Sequence, residues 1–245
     1  MRSASASGDA AAGGLPPGRR AGPGPQRAAG AWRASALRAL LACSALCALF
    51  WGLSRAPGGA PRWHGQALPP RAAPAFGGMR DTAGRRFHWL AQRGSPVLVF
   101  FGYTHCPDVC PLTLVRLSRV LHELGPAGRR VHVVFVTLDP GRDTPRVLRA
   151  YLDALFPSAI GLRGDPASTA RAAAQWGVRF RRVDAGGAAA GSQDYWLDHT
   201  AAVTLVGPHG RLVARYGYAQ LQAQGLLRHD LLALLGEPRG AAATR

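Results

Sequence analysis

Two runs near the middle of the chain leave it little choice of architecture. SPVLVFFGYT (residues 95–104) and VHVVFVTLD (residues 131–139) are almost continuously apolar, without the polar alternation of a strand that has one wet face. Strands of that kind are covered on both sides. Between them, PLTLVRLSRVLHELG sets Leu114, Leu117, Leu121 and Leu124 at helical spacing and stops at Gly125, a residue suited to close a helix. The alternation continues. TPRVLRAYLDALF reads as a helix capped by Thr144, with Pro145 in its first position. AIGLRGD is a short strand or turn, PASTARAAAQWG a helix stopped by Gly177, and VRFRRV a strand near an edge. HTAAVTLVGPHGRLVARYGY is two apolar runs about a GPHG turn, a hairpin, and LQAQGLLRHDLLALLG closes as a helix. Helices alternating with strands predict an α/β sandwich with a central mixed sheet. A terminal hairpin followed by a helix is the thioredoxin-like order.

The first of these strands runs into THCPDVCP. Cys106 and Cys110 stand four apart, one residue wider than the common redox pair, and each precedes a proline. If the helix begins at Cys106, both sulfurs share one face of its first turn. The unpaired N–H groups there favour thiolates. Pro107 and Pro111 cost little in that turn, which has no intrahelical acceptor for its N–H groups. Two adjacent thiolates can exchange electrons as a dithiol/disulfide or grip a soft metal ion. A closed zinc site needs four ligands, so zinc would require two histidines nearby. Of eight histidines, His64 falls in a linker, His209 in the hairpin turn, and His88, His122, His132 and His229 in patterns typical of surface positions. His105 adjoins Cys106, so its side chain diverges from that sulfur. His199, in DYWLDHTAAVTL, precedes an apolar strand; the residues alone leave its role open.

The rest of the chain reads as attachments. Residues 1–33 are Ala, Gly, Ser, Pro and Arg with few large apolar side chains, and predict a disordered cytoplasmic tail. Residues 34–54 contain ALLACSALCALFWGL, a stretch about long enough to span a bilayer as a helix. Arg38 can snorkel to the headgroups, and Trp32 and Trp51 sit near its ends. Arg19, Arg20, Arg27 and Arg33 precede it while only Arg55 and Arg62 closely follow, which places the N-terminus inside and the domain outside. A cleaved signal peptide lacks a close cleavage site, and lipidation of Cys43 would leave too short an apolar stretch before it. Cys43 and Cys47 then carry no chemistry. Residues 55–74 read as a Pro/Gly/Ala linker, 75–236 as the folded domain, and 237–245 as a second disordered tail. The formal net charge of +17 arises wholly from arginine, with no lysine anywhere. That uniformity points to residue-usage bias. With no interleaved aromatics, it argues against nucleic-acid binding.

VFFGYTHCPDVCPLTL, VFVTLDPGRDTP and DYWLDHTAAVTLVGPHGRL together resemble the Sco/SenC family of membrane-anchored, thioredoxin-like copper proteins, over roughly residues 76–235. The resemblance implies that Cys106, Cys110 and His199 bind copper, a donor set suited to Cu(I) and able to hold Cu(II). It implies a copper chaperone that helps assemble the dinuclear copper centre of cytochrome c oxidase. Its partners would be that oxidase's copper-site subunit, other copper chaperones and a thiol reductant. The rival readings are a thiol–disulfide oxidoreductase that keeps the oxidase cysteines reduced, and a redox or copper sensor. Asp198 is a candidate to orient the site from behind, and Asp139 to shape its own turn. The implied location is a bacterial-type cytoplasmic membrane, with the domain on the extracytoplasmic side. There, oxidised apo protein is expected to hold a Cys106–Cys110 disulfide.

Overall fold

A computed structural model describes residues 26–54, 62–184, 194–223 and 225–236. Most of the tail expected at 1–33, and all of the tail expected at 237–245, lie outside the described residues. The chain divides into two units, Met1–Pro61 and Arg62–Arg245.

The described residues of the first unit form one helix, α1 (Gln26–Ser54). Alanine and leucine, the strongest helix formers, dominate it. It takes in the whole apolar segment and begins upstream of residue 34. Leu40, Leu46, Phe50 and Trp51 are all exposed along it. Among the described residues, no helix is long and apolar enough to cross a membrane. The many small side chains, with Arg27, Arg33 and Arg38, dilute its apolar character.

The second unit runs β1 (Gln66–Ala67), β2 (Arg80–Asp81), β3 (Val97–Gly102), α2 (Val109–Glu123), β4 (His132–Thr137), α3 (Pro145–Leu155), β5 (Ile160–Arg163), α4 (Pro166–Gln175), β6 (Phe180–Asp184), β7 (Tyr195–His199), β8 (Ala202–Val206), β9 (Leu212–Gly217), α5 (Tyr218–Gln222) and α6 (Leu226–Leu235). Seven strands form one sheet in the order β1-β9-β8-β3-β4-β5-β2. β3, β4 and β5 are parallel, and β8 and β9 continue antiparallel. The mixed central sheet predicted from the element order is present. The two apolar runs are its centre: every residue of β3, and all of β4 except His132, is buried. Each large side chain so buried contributes about 1.5–3 kcal/mol.

Alternation along β3 gives its two faces different tasks. Phe101 points to an aromatic cluster in which Phe76 stacks on Trp176 with centroids 5.2 Å apart. Phe100 points the other way, toward Phe135 and His199. Gly102, two residues on, shares that second face.

The helix punctuation behaves as read. Thr144 Oγ1 accepts from Val147 N–H at 3.3 Å, and Asp165 caps α4 through Ser168 N–H at 2.7 Å. Gly125 and Gly177 take left-handed φ values of 58° and 64° just past α2 and α4.

Three boundaries differ from the sequence reading. Residues 62–74, read as linker, lie against the domain: β1 pairs with β9, and Ala72 bridges Arg211. The short segment satisfies the free edge of β9, which no hydropathy pattern announces. The closing helix is two, because Gly225 at φ 85° breaks it between α5 and α6. The edge strand β6 leaves the main sheet and, among the described residues, pairs only with β7, as a separate two-stranded sheet.

Candidate metal centre

β3 ends at Gly102, and the chain turns through Tyr103–Asp108 before α2 begins. The expectation that Cys106 opens the helix is not met. Pro107 disfavours helical backbone at the residue before it. Cys106 therefore stays in the turn and only Cys110 lies inside the first turn of α2. The sulfurs meet because the turn folds Cys106 back over the helix N-terminus, where the backbone N–H groups of Asp108 and Cys110 favour its thiolate. The extra residue of the wide pair supplies the length for that fold-back.

His199 arrives from the other side. It ends β7, opposite Phe180 of β6. Its Nε2 lies 3.4 Å from Cys110 Sγ. Its Nδ1 lies 3.2 Å from the carbonyl oxygen of Thr200. A carbonyl only accepts, so the proton sits on Nδ1 and the Nε2 lone pair faces the sulfurs, the tautomer a metal ligand needs. Asp198 does not play the orienting part considered for it. Its side chain pairs with Arg181 at 3.0 Å across the β6–β7 hairpin.

The three sequence-derived residues are thus brought together: their donor atoms all lie within 4.8 Å of one another. A thiolate sulfur and an imidazole nitrogen on one tetrahedral ion stand roughly 3.5 Å apart, close to the Cys110–His199 spacing observed. Two sulfurs and one nitrogen are a soft set, and three donors leave a coordination position open. Gly102 lets the Cys110 sulfur lie against β3: a Cβ there would stand 2.9 Å from Cys110 Sγ and 2.9 Å from the Phe135 ring.

The cysteines are electrostatically unequal. Hydrogen bonding from the Cys110 thiol, together with nearby backbone N–H groups, outweighs burial and lowers the Cys106 thiol to about 3. Cys110 is pushed upward by the same bond and by its burial. Cys106 is therefore the thiolate and Cys110 its donor. With the folded value depressed, ionisation of Cys106 favours the fold above the ordinary thiol range, and the contribution is lost as pH falls toward 3. In metal-free, reduced protein, iodoacetamide is expected to modify Cys106 first, at a rate nearly flat from pH 5 to 9. Peptide mass spectrometry reads this. A rate rising tenfold per pH unit through pH 8 contradicts it.

Several contributors escaped the sequence reading. Tyr103 is buried, and its ring edge meets His199 at 5.9 Å between centroids. Burial and the adjacent Cys106 raise its hydroxyl to about 12, so it stays a donor. Asp143 is wholly buried behind the turn. Its carboxylate accepts from Thr104 N–H at 3.1 Å, from Thr104 Oγ1 at 2.6 Å and from the Thr137 hydroxyl. His105 turns outward as expected, toward Thr104 Oγ1 at 3.0 Å. Asp139 does more than shape its turn. It pairs with Arg142 and accepts from Tyr195 Oη at 2.8 Å. Arg142 in turn lies 3.5 Å over the Tyr195 ring. This knot ties β7, and so His199, to the loop after β4. Apart from GRDTP standing close after a strand, no local signal marks these residues.

A thioredoxin-like sheet with Cys-Cys-His donors at the carboxyl end of a central strand defines a metal-binding member of that fold. The SCO1/SenC profile matches residues 69–231. The chain belongs to the SCO1/SenC family. It is 35% identical over 146 residues to the human "Protein SCO2 homolog, mitochondrial", covering 59% of this chain and 53% of that protein. The chain thus spans about half the length of that curated relative. Among solved structures, it is similar to apo Sco1 from Thermus thermophilus, with TM-score 0.60 and 35% identity over 73% of this chain and all of that one. It is also similar to copper-bound ScoI from Bradyrhizobium japonicum, with TM-score 0.56 and 33% identity over 69% of this chain and 99% of that one.

Proposed function

We propose that this chain is a copper chaperone: it takes copper on Cys106, Cys110 and His199 and passes it to the copper-site subunit of cytochrome c oxidase. The observation that carries this reading is the convergence of two cysteine sulfurs and one imidazole, two of the three residues lining an open cleft. The cleft, roughly 490 Å³, is lined by Cys106, Val109, Val183, Trp196 and His199. Trp196, Leu112 and Val115 are large apolar side chains about half exposed, a composition suited to transient protein contact. Copper bound here gains a soft, electron-rich coordination. The chain's own residues hold Cys106 ionised, keep Cys110 as a buried donor and fix His199 in the ligand tautomer. Cys106, half-buried, is the ligand that an incoming thiolate can replace.

The low Cys106 value also favours a second reading, reduction of the client's cysteines. The Cys106 thiolate would attack a client disulfide, Cys110 would resolve the mixed disulfide, and two electrons would pass to the client as Cys106–Cys110 becomes oxidised. One mixing experiment separates the two. With a reduced, metal-free client subunit, copper delivery moves the metal and leaves both cysteines of this chain as thiols. With an oxidised client, reduction leaves a disulfide on this chain whether or not copper is present. Failure of copper to move to the reduced client would remove the chaperone reading.

The same proposal makes α1 a retained anchor in a cytoplasmic membrane, with the domain outside. Its exposed Leu, Phe and Trp side chains and the preceding arginines support this. In intact spheroplasts, added protease is expected to digest the domain and spare the N-terminus. Recovery of the whole chain in the soluble cytoplasmic fraction contradicts it.

A further inference from the structure

A second donor cluster lies outside the centre described above. Asp230, on α6, is 1% exposed. Its Oδ2 accepts from the His64 backbone N–H at 2.8 Å and from the Tyr216 hydroxyl. Its Oδ1 faces two imidazoles at once: His64 Nδ1 at 2.7 Å and His229 Nδ1 at 3.4 Å. The rings stand edge to face with centroids 4.6 Å apart. Both imidazoles are about 40% exposed, at 38% and 39%, so their outer sides meet solvent. The partners differ from those of other buried acids here: Asp139 takes an arginine and Asp143 takes threonines. In a chain with 30 basic side chains outside histidine, the described partners of Asp230 are two histidines and a tyrosine.

We propose that His64, His229 and Asp230 form a second metal site, for a divalent cation of the zinc(II) or copper(II) class. Two imidazole nitrogens and a carboxylate oxygen are borderline-to-hard donors; they suit those ions and not Cu(I), which prefers thiolates. Donors on one tetrahedral ion stand about 3.3 Å apart. The His229–Asp230 spacing already matches, and His64 must withdraw by roughly half an ångström. His64 can do so because it precedes the two-residue strand β1. Both imidazoles would carry their proton on Nε2 when bound, and waters would complete the shell from the exposed side. The buried carboxylate is held from behind by Tyr216 and the His64 N–H, as a ligand is oriented by its outer partners. Binding would tie the segment before the sheet to the last helix.

The test uses the full chain carrying Cys106→Ser, Cys110→Ser and His199→Ala, which removes the first centre. Zinc(II) alone is titrated in against a chromophoric chelator, and thermal unfolding is followed with and without zinc(II). One bound equivalent and an upward shift of the melting temperature are expected. Adding His229→Ala is expected to weaken zinc binding at least tenfold and abolish the shift. His229→Gln, which keeps a polar side chain without an imidazole, is expected to do the same. His229 is half-exposed, so both variants are expected to fold, as the zinc-free melting curve will show. No bound equivalent in the starting variant, or binding unchanged by both His229 substitutions, overturns the proposal.

Discussion

His199→Ala is expected to weaken copper retention by more than about 100-fold while leaving Cys106 and Cys110 able to form their disulfide. Losing a partner behind a ligand costs 10–100-fold in metal affinity, and losing a ligand exceeds that. His199 supplies the only nitrogen among the three donors, with Nε2 facing Cys110 Sγ at 3.4 Å. Cys106→Ser or Cys110→Ser is expected to remove both properties. His122→Ala and His209→Ala, on exposed side chains, are expected to affect neither. The readings are copper per protein after dialysis against a competing chelator, and thiol titration after mild oxidation. Retention of copper by His199→Ala at the parent level contradicts the three-donor site.

The second large effect is expected at Asp143, which touches no donor atom but holds the turn that presents Cys106. Alanine there would remove the acceptor of the buried Thr137 hydroxyl and of the half-buried Thr104 N–H, leaving the Thr104 hydroxyl only His105 Nδ1. A buried donor without an acceptor costs about 1–3 kcal/mol, so Asp143→Ala is expected to lose about 3 kcal/mol or more in urea unfolding. Asparagine is different. It keeps an acceptor for the Thr104 N–H, and hydroxyl rotors can turn to accept from its amide. Burial raises the Asp143 carboxyl despite its hydrogen bonds. A folded value raised above the unfolded one means that the stabilising protonated form is lost as pH rises, so a permanently neutral side chain forfeits little. Asp143→Asn is expected to stay within about 1 kcal/mol of the parent. Copper affinity is expected to fall about tenfold in the alanine variant. Equal stabilities for the alanine and asparagine variants would show that the hydrogen bonds do not hold the turn.

What could be read in the sequence was what local chemistry repeats. The fully apolar runs specified β3 and β4, and Thr144, Gly125 and Gly177 marked helix ends. Cys106 and Cys110 declared themselves by spacing and flanking prolines. His199 did not: its position follows from a β6–β7 pairing between residues about twenty apart, so its local sequence leaves its role open and only the resemblance of the surrounding motif to the family points to it. The same limit hid Asp143, Tyr103 and the Asp139–Arg142–Tyr195 knot, whose members meet only through tertiary contacts. The two sulfurs come together without sharing a face of α2, because Pro107 holds Cys106 outside the helix. His64 looked like linker for a similar reason. Its partner Asp230 lies 166 residues away.

The most direct measurement is X-ray absorption at the copper edge of the copper(I)-loaded, reduced full chain. One equivalent of copper with two sulfur scatterers and one imidazole is expected, the imidazole contribution vanishing in His199→Ala. A copper ion bound by two sulfurs alone, with a spectrum unchanged by that substitution, would contradict the site.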